Sequence, residues 1–391
     1  MRFLKLINQS SCSLHTSESF RYLCLFYLLL SNVLIAQTSN SRMIAVETSI
    51  GPQVIFPDGS DFSAGNIEQK MKDFNINGIS VAVINNGQID WSKAYGVLKA
   101  GEAKKVTTTS LFQCASIGKV ISTLAALQLV EDNLISLDEN INNKLKRWAI
   151  EENDLTKETP VTLRHLLTHS SGLTDEYGFP GYRPGDNIPN VIQILNGENP
   201  SNTKKSLEIK TTPGQVEHYS GAGYLIIQIL IEDLSGKSFV DYVQEKILLP
   251  FEMNNTTYDD RPDINMGKVI ASGHRSIGKA LKKKDYHIYP EKAAAGPWTT
   301  AEDLAKLIIG IQTTETPLIK EMLTPQINNK GLGVNLKGIH KPEAFWHAGQ
   351  NEGYTGLLYG MSEDGKGAVV LTNSIGGEQF IQEFILPNDT L

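Results

Sequence analysis

Two periods of hydrophobic and polar residues alternate along the chain. The β-branched run Ile79-Ser-Val-Ala-Val-Ile84 and the mixed run Gln88-Ile-Asp-Trp-Ser-Lys-Ala-Tyr95 flank Asn85-Asn-Gly87, which predicts a hairpin. Helical spacing then takes over. Positions 117, 120, 121, 124, 127 and 128 fall on one face and are mostly apolar, predicting an amphipathic helix from Ser116 to about Asp132. Further helices are expected over Asn66 to Phe74, over Thr162 to Gly172 with Thr162 as N-cap, over the nearly all-apolar Leu225 to Leu234, over Phe239 to Leu248, over Asp303 to Ile311 behind a Thr299 or Thr300 cap, and over Gln379 to Ile385. Residues 175–215 are rich in Gly, Pro and Asn and read as loops, and Ala293 to Thr300 reads as a small-residue turn. Strands return at Gly331–Leu336, Ala344–His347, Thr355–Tyr359 and Gly367–Thr372, with a turn at Asp364-Gly365. Strands at both ends with helices between predict an α+β fold. N- and C-terminal strands share one antiparallel sheet flanked by helices, and an all-helical subdomain is inserted over roughly 125–290.

The N-terminus has its own pattern. Arg2, Lys5 and Arg21 precede the apolar run Tyr22 to Ile35, which is short for a membrane span and fits the core of an export signal with cleavage near Ala36. Residues 1–36 are therefore read as a signal peptide, 37–66 as an irregular arm, and 67–391 as the functional domain. That places the mature protein in the periplasm or outside the cell, with membrane attachment only if the apolar run is retained. Of the cysteines, Cys12 and Cys24 fall within the signal, so Cys114 stands alone and reads as a small buried filler.

The remaining composition is that of a soluble globular protein of 391 residues: 40% hydrophobic, 20% charged and net charge −7. An acidic chain whose longest basic cluster is Lys282 to Lys284 gives no footprint for nucleic acid. His165 and His169 stand four apart, but with no Glu beside His165 and no third ligand nearby, neither a metal nor any other cofactor is expected.

Candidate chemistry sits at the mouth of the first long helix. Ser116 and Lys119 lie one turn apart, close enough to share a proton. A serine hydroxyl is a poor nucleophile until a neighbour takes its proton, and a lysine can do so where burial disfavours its charged form. Two other Ser-x-x-Lys matches, Ser201 to Lys204 and Ser276 to Lys279, lack a helix to open. Downstream follow Leu166-Leu-Thr-His-Ser-Ser-Gly-Leu173, Tyr219-Ser-Gly221, and His347-Ala-Gly349 on an expected strand.

In this order and spacing the motifs resemble those of the serine β-lactamase and penicillin-recognising family, and most closely its class C-like branch of D-alanyl-D-alanine carboxypeptidases, D-aminopeptidases and esterases. The likeness runs from about residue 67 to about 375. It implies a serine hydrolase with Ser116 as acylated nucleophile and Lys119 with Tyr219 as the proton-transfer pair, either of which is the base. It places His347 where many relatives carry a lysine, to meet a substrate carboxylate or Tyr219. It implies an oxyanion hole from the amides of Ser116 and Gln350, with Gly349 admitting substrate to the strand edge. The chain departs from the usual Tyr-x-Asn motif by carrying Gly221 in place of the Asn, which shifts the expected substrate from β-lactams toward small-molecule or peptide substrates such as esters and D-amino acid peptides. A class C-type β-lactamase and a non-catalytic penicillin-binding module are the alternatives. Trp298 and Tyr354 are expected at the pocket or in the core, and His218 as a supporting neighbour of the site or a surface residue, not a catalyst.

Overall fold

The computed structural model describes residues 39–47, 54–55, 61–62, 66–173, 179–203, 207–275, 279–281, 285–338 and 341–384. The expected signal peptide, Cys12, Cys24, Lys204, the residues Ser276 to Gly278 and the Lys282 to Lys284 cluster lie outside them. The arm expected to be irregular carries a helix over 39–47, and a two-residue antiparallel pair joins Val54–Ile55 to Asp61–Phe62.

The helix α1 (Ile67–Asp73) starts where Asn66 caps the amide of Gln69, and leads into the hairpin of β1 (Gly78–Asn85) and β2 (Gln88–Gly96). Asn86 and Gly87 both have positive φ, the backbone that a tight hairpin turn of matching twist requires. The C-terminal strands are β3 (Asn335–Lys337), β4 (Ala344–Asn351), β5 (Tyr354–Met361) and β6 (Gly367–Thr372). Together they form one six-stranded antiparallel sheet in the order β2-β1-β6-β5-β4-β3. The two ends of the chain meet where β6 pairs with β1, from Thr372 opposite Ile79 to Gly367 opposite Ile84. The expected strand over 331–336 shortens to 335–337, and β4 pairs with it only through Trp346.

Between the sheet's halves run α2 (Gly118–Glu131), α3 (Leu163–Leu167), α4 (Ala222–Ser235), α5 (Lys292–Ala295) and α6 (Ala301–Thr313); α7 (Gly377–Phe384) follows the last strand. Alternation along β5 sorts the two faces of the sheet. A Cβ on Gly360 would meet Ile308 of α6 at 2.9 Å, and one on Gly356 would meet Ile117, just before α2, at 3.1 Å. The helical body and the Ser116 segment thus share one face. Thr355 points to the other, where a Cβ on Gly377 would lie 2.2 Å from its hydroxyl, so α7 covers that face.

Three further expectations change. The helix α2 is buried almost all round instead of amphipathic, because its polar positions bond inward: Ser122 donates to the Ala293 carbonyl (2.8 Å) and Thr123 bonds the Tyr224 hydroxyl (3.0 Å). The helix expected to reach Gly172 stops at Leu167, with His169 at φ 57° in the turn beyond. The stretch expected as a turn at 293–300 begins inside α5 and continues into a short strand at Trp298–Thr299. The α+β class, the shared sheet, and the caps at Thr162 and Thr300 stand as expected.

Ile308 of α6 is fully buried on the glycine-lined sheet. Replacing it with Ala removes its packing and leaves a cavity the sheet cannot fill. The expected loss is about 2–5 kcal/mol in urea unfolding, with the denaturant slope unchanged.

Candidate active site

Ser116 is the middle residue of a single 3₁₀ turn, Ala115–Ile117, that runs into α2. Ala115 is held at φ 51°, a left-handed conformation that a residue with a Cβ adopts only when its surroundings impose it. The bend lifts Ser116 to a partly exposed position while Cys114, Ala115 and Ile117 are buried. Cys114 is no rival nucleophile: it is fully buried, and desolvation pushes its thiol up to about 12.

Lys119 is almost fully buried, with 1% of its surface exposed. Its ammonium donates to Ser116 Oγ at 3.1 Å and to the carbonyl of Ala294 at 2.8 Å. It also lies over two aromatic rings, 5.2 Å from the centroid of Tyr219 and 5.4 Å from that of Tyr224. The Ala294 carbonyl belongs to the last turn of α5, and the same turn holds two more partners. Ala293 takes Ser122 Oγ, and Ala295 takes Asn351 Nδ2 at 3.0 Å. Asn351 also reaches Gln113 Oε1 (3.0 Å), whose amide nitrogen bonds the carbonyl of His287. A row of small alanines therefore ties α2, β4 and the pre-Ser116 strand together, and the methyl-sized side chains permit the close approach.

Tyr219 is 43% exposed, on the segment before α4. Its ring stacks on His169, with centroids 4.3 Å apart and planes 30° apart. Gly221 has ordinary helical angles (φ −70°, ψ −37°), so the backbone there does not demand a glycine, and the position offers substrate no side-chain amide.

On the opposite side is β4. A Cβ on Gly349 would lie 2.2 Å from the carbonyl of Cys114 and 3.1 Å from the amide of Ser116. Only glycine allows the strand this close to the Ser116 turn. Past Trp346 no described strand is registered against the outer edge of β4. Gln350 is exposed on that edge, next in chain to Gly349, so its amide and that of Ser116 belong to adjoining backbone segments. The geometry thus brings Ser116, Lys119, Tyr219 and Gly349 together, with Gln350 next in chain to Gly349.

His347 is buried, and desolvation together with the Lys119 charge lowers its imidazole to about 3. Its Nδ1 lies 2.7 Å from the Ala348 carbonyl, which only accepts, so Nδ1 carries the proton and Nε2 is an acceptor. This neutral imidazole receives a bond from a hydroxyl or ammonium and offers no donor to a carboxylate. Of the two contacts expected for His347, the form seen here suits a hydroxyl such as that of Tyr219.

Sequence reading passed over three participants: the α5 carbonyls, His169 and Lys330. Lys330 is held by Glu217 (3.3 Å) and by Asn335 on β3, and its charge bears on both His169 and His347. No local pattern marks a backbone carbonyl or a lysine in a surface turn. His165 and His169 do separate work: His165 closes a capping box with Thr162, and His169 faces Tyr219. Among the described residues no group of three or more His, Cys, Asp or Glu side chains is arranged to hold a metal. Trp298 and Tyr354 are both buried and pack edge-to-face at 5.8 Å, with the Tyr354 hydroxyl on the Ala271 carbonyl, so both belong to the core. His218 is exposed, as expected.

The fold agrees with that of known proteins. The beta-lactamase family profile matches residues 64–384. The chain belongs to the beta-lactamase family. Its relatives include a teichoic acid D-alanine hydrolase of Staphylococcus aureus, 25% identical over 317 residues, 80% of this chain and 74% of the relative. Similar solved structures include the octameric penicillin-binding protein homologue of Pyrococcus abyssi (TM-score 0.64, 24% identity, 82% of this chain and 78% of that one). Another is the D-amino acid amidase of Ochrobactrum anthropi SV3 (TM-score 0.63, 22% identity, 78% and 88%). The protein is thus a hydrolase of the beta-lactamase fold, with a six-stranded sheet behind its candidate active site. No helix among the described residues is long and apolar enough to cross a membrane.

Two outcomes follow for this beta-lactamase-family site. Gly349→Ala forces strand and Ser116 turn apart; turnover of a p-nitrophenyl ester should fall by at least about 10²-fold, as expected when an oxyanion donor is lost. Burial of neutral His347 also links stability to pH. Its folded-state value of about 3 lies below the ordinary 6.5, so the unfolded chain binds the extra proton between them. The stabilisation is complete above about 6.5 and is lost as pH falls toward 3, on the order of 2 kcal/mol by pH 5. Urea unfolding at pH 7 and pH 5 should show a smaller acid loss for His347→Gln than for the parent.

Proposed function

We propose that the protein is an exported serine hydrolase that removes D-aminoacyl groups from esters or peptides of cell-wall type through an acyl-enzyme on Ser116. The observation that carries this reading is the buried Lys119 ammonium, 3.1 Å from Ser116 Oγ and oriented by the Ala294 carbonyl. As an ammonium, Lys119 places its positive charge beside the serine oxygen while Tyr219 takes the hydroxyl proton; unprotonated, it takes that proton itself as the C–O bond forms.

In this scheme Ser116 Oγ attacks the substrate carbonyl. Its proton passes to Lys119 or Tyr219, whichever is unprotonated, and the carbonyl oxygen gains negative charge between the amides of Ser116 and Gln350. Collapse breaks the bond to the leaving alcohol or amine, which takes the proton. Water then adds to the Ser116 ester by the reverse proton path and releases the acid. His347, as an acceptor, holds the Tyr219 hydroxyl whenever Tyr219 carries its proton, and Gly349 lets the substrate lie along the open edge of β4.

The substrate class rests on two supports. The staphylococcal relative is a teichoic acid D-alanine hydrolase and the Ochrobactrum protein a D-amino acid amidase, two activities that share a D-aminoacyl group. Gly221 removes the side-chain amide expected to meet an acylamide, which favours small acyl groups over β-lactams. Export rests on the charged-then-apolar pattern of residues 1–36.

Steady-state turnover of a D-alanyl ester, its L-enantiomer and the chromogenic cephalosporin nitrocefin tests the proposal. The expected order is D-alanyl ester first, with nitrocefin lower by at least about 10²-fold in kcat/KM and all activity absent in Ser116→Ala. Nitrocefin turnover equal to that of the ester would overturn the substrate assignment in favour of a class C-type β-lactamase.

A further inference from the structure

Tyr219 lies on an exposed segment, yet either proton path above needs its hydroxyl fixed near Lys119. The segment's anchor is His169, through three of its atom groups. The His169 carbonyl accepts the amide of His218 at 2.7 Å. Its Nδ1 accepts the amide of Ser220 at 3.1 Å. Its ring, between these two contacts, stacks on Tyr219 at 4.3 Å and lies 5.6 Å from the ring of Tyr224. Residues 218, 219 and 220 are therefore each gripped by the same side chain or its own backbone.

Two features of His169 make this grip rigid. Its φ of 57° turns carbonyl and side chain toward the segment together, a conformation imposed by the turn ending at Gly172. There a Cβ on Gly172 would meet the Thr211 carbonyl at 2.1 Å, so this turn cannot shift without cost. The imidazole must also be neutral, because a protonated Nδ1 could not accept from Ser220. Burial and the charges of Lys119 and Lys330 hold it well below the ordinary histidine range, which keeps that acceptor present.

We infer that His169 is a positioning residue for the reaction: it fixes the Tyr219 ring beside Lys119 by accepting the Ser220 amide and stacking on the phenol. This rests on the proposed acyl-transfer chemistry and adds to it a residue that touches no substrate. It also assigns a task to the Thr-His-Ser-Ser-Gly stretch at 168–172. There Thr168 and Ser170 bond each other through their hydroxyls, and Ser170 binds the amide of Gly214 through its carbonyl.

The test is the second-order rate at which a fluorophosphonate acylates Ser116, which depends on activation of the serine and not on the natural substrate. His169→Phe keeps a ring and removes the acceptor. His169→Asn keeps an acceptor, tolerates the positive φ and removes the ring. Each is measured in the parent and in Tyr219→Phe, well below its unfolding midpoint. The expected losses are about 10²-fold for His169→Phe and about tenfold for His169→Asn in the parent, the range of a misplaced proton-transfer group. In Tyr219→Phe, where the hydroxyl to be positioned is gone, each loss should shrink below about threefold, a coupling that a purely structural role would not produce. Equal losses in both backgrounds, or a His169→Phe rate within about threefold of the parent, would overturn the inference. If His169→Phe does not fold, the His169→Asn pair decides alone by the same criterion. A parent that reacts while the cycle shows no coupling leaves the proposed function standing and removes His169 from it. A parent that never reacts removes both.

Discussion

Everything at the site depends on keeping one cation out of water. A buried ammonium is costly unless its donors are matched. Lys119 is matched by the Ala294 carbonyl, by Ser116 Oγ and by the faces of two tyrosines. Much of the surrounding architecture follows from that need. The last turn of α5 must present carbonyls toward α2, so its residues are alanines, and Gly118 is close enough to Pro297 that a Cβ would clash at 2.7 Å. Gln228 Oε1 takes the amide of Ala293 and Asn351 the carbonyl of Ala295, so this short helix is held by tertiary bonds more than by its own length.

The same cation sets the electrostatics of its neighbours. His169 and His347 both lie where the charges of Lys119 and Lys330 oppose a second positive charge, and both are buried. They are held neutral, His169 accepting the Ser220 amide and His347 donating from Nδ1 to the Ala348 carbonyl. A site that replaces a strand lysine by a histidine is therefore less positive than the motif pattern of its family suggests. With Gly221 in place of an amide, it also presents fewer polar groups to an acyl chain. Under the proposed function, both changes favour compact acyl groups over bulkier acylamides.

How much of this could be read in the sequence differs from element to element, for physical reasons. The hairpin was legible because Asn86 and Gly87 must take positive φ. The Ser116–Lys119 pair was legible because a spacing of three is a distance on a helix. The joining of β1 to β6 followed from strands at both chain ends. By contrast, α5 was hidden, since four helical residues rich in alanine have the composition of a turn and fold only against Gln228 and Asn351. The burial of α2 was hidden too, because Ser122 and Thr123 look solvent-facing until the Ala293 carbonyl and the Tyr224 hydroxyl are brought to them. His169 stood out only in the Leu166–Leu173 stretch and by its spacing from His165; its role was hidden because its effect on Tyr219 spans fifty residues and depends on a positive φ that nothing local announces.

The central claim is that burial and orientation of Lys119 make Ser116 a nucleophile. Intact-mass analysis after exposure to a fluorophosphonate tests it most directly, on the parent, Ser116→Ala and Lys119→Met. A single adduct on the parent, none on Ser116→Ala, and labelling slowed by at least about 10²-fold in Lys119→Met are predicted. Labelling of Ser116 at parental rate in Lys119→Met, or no adduct on the parent, would contradict the account.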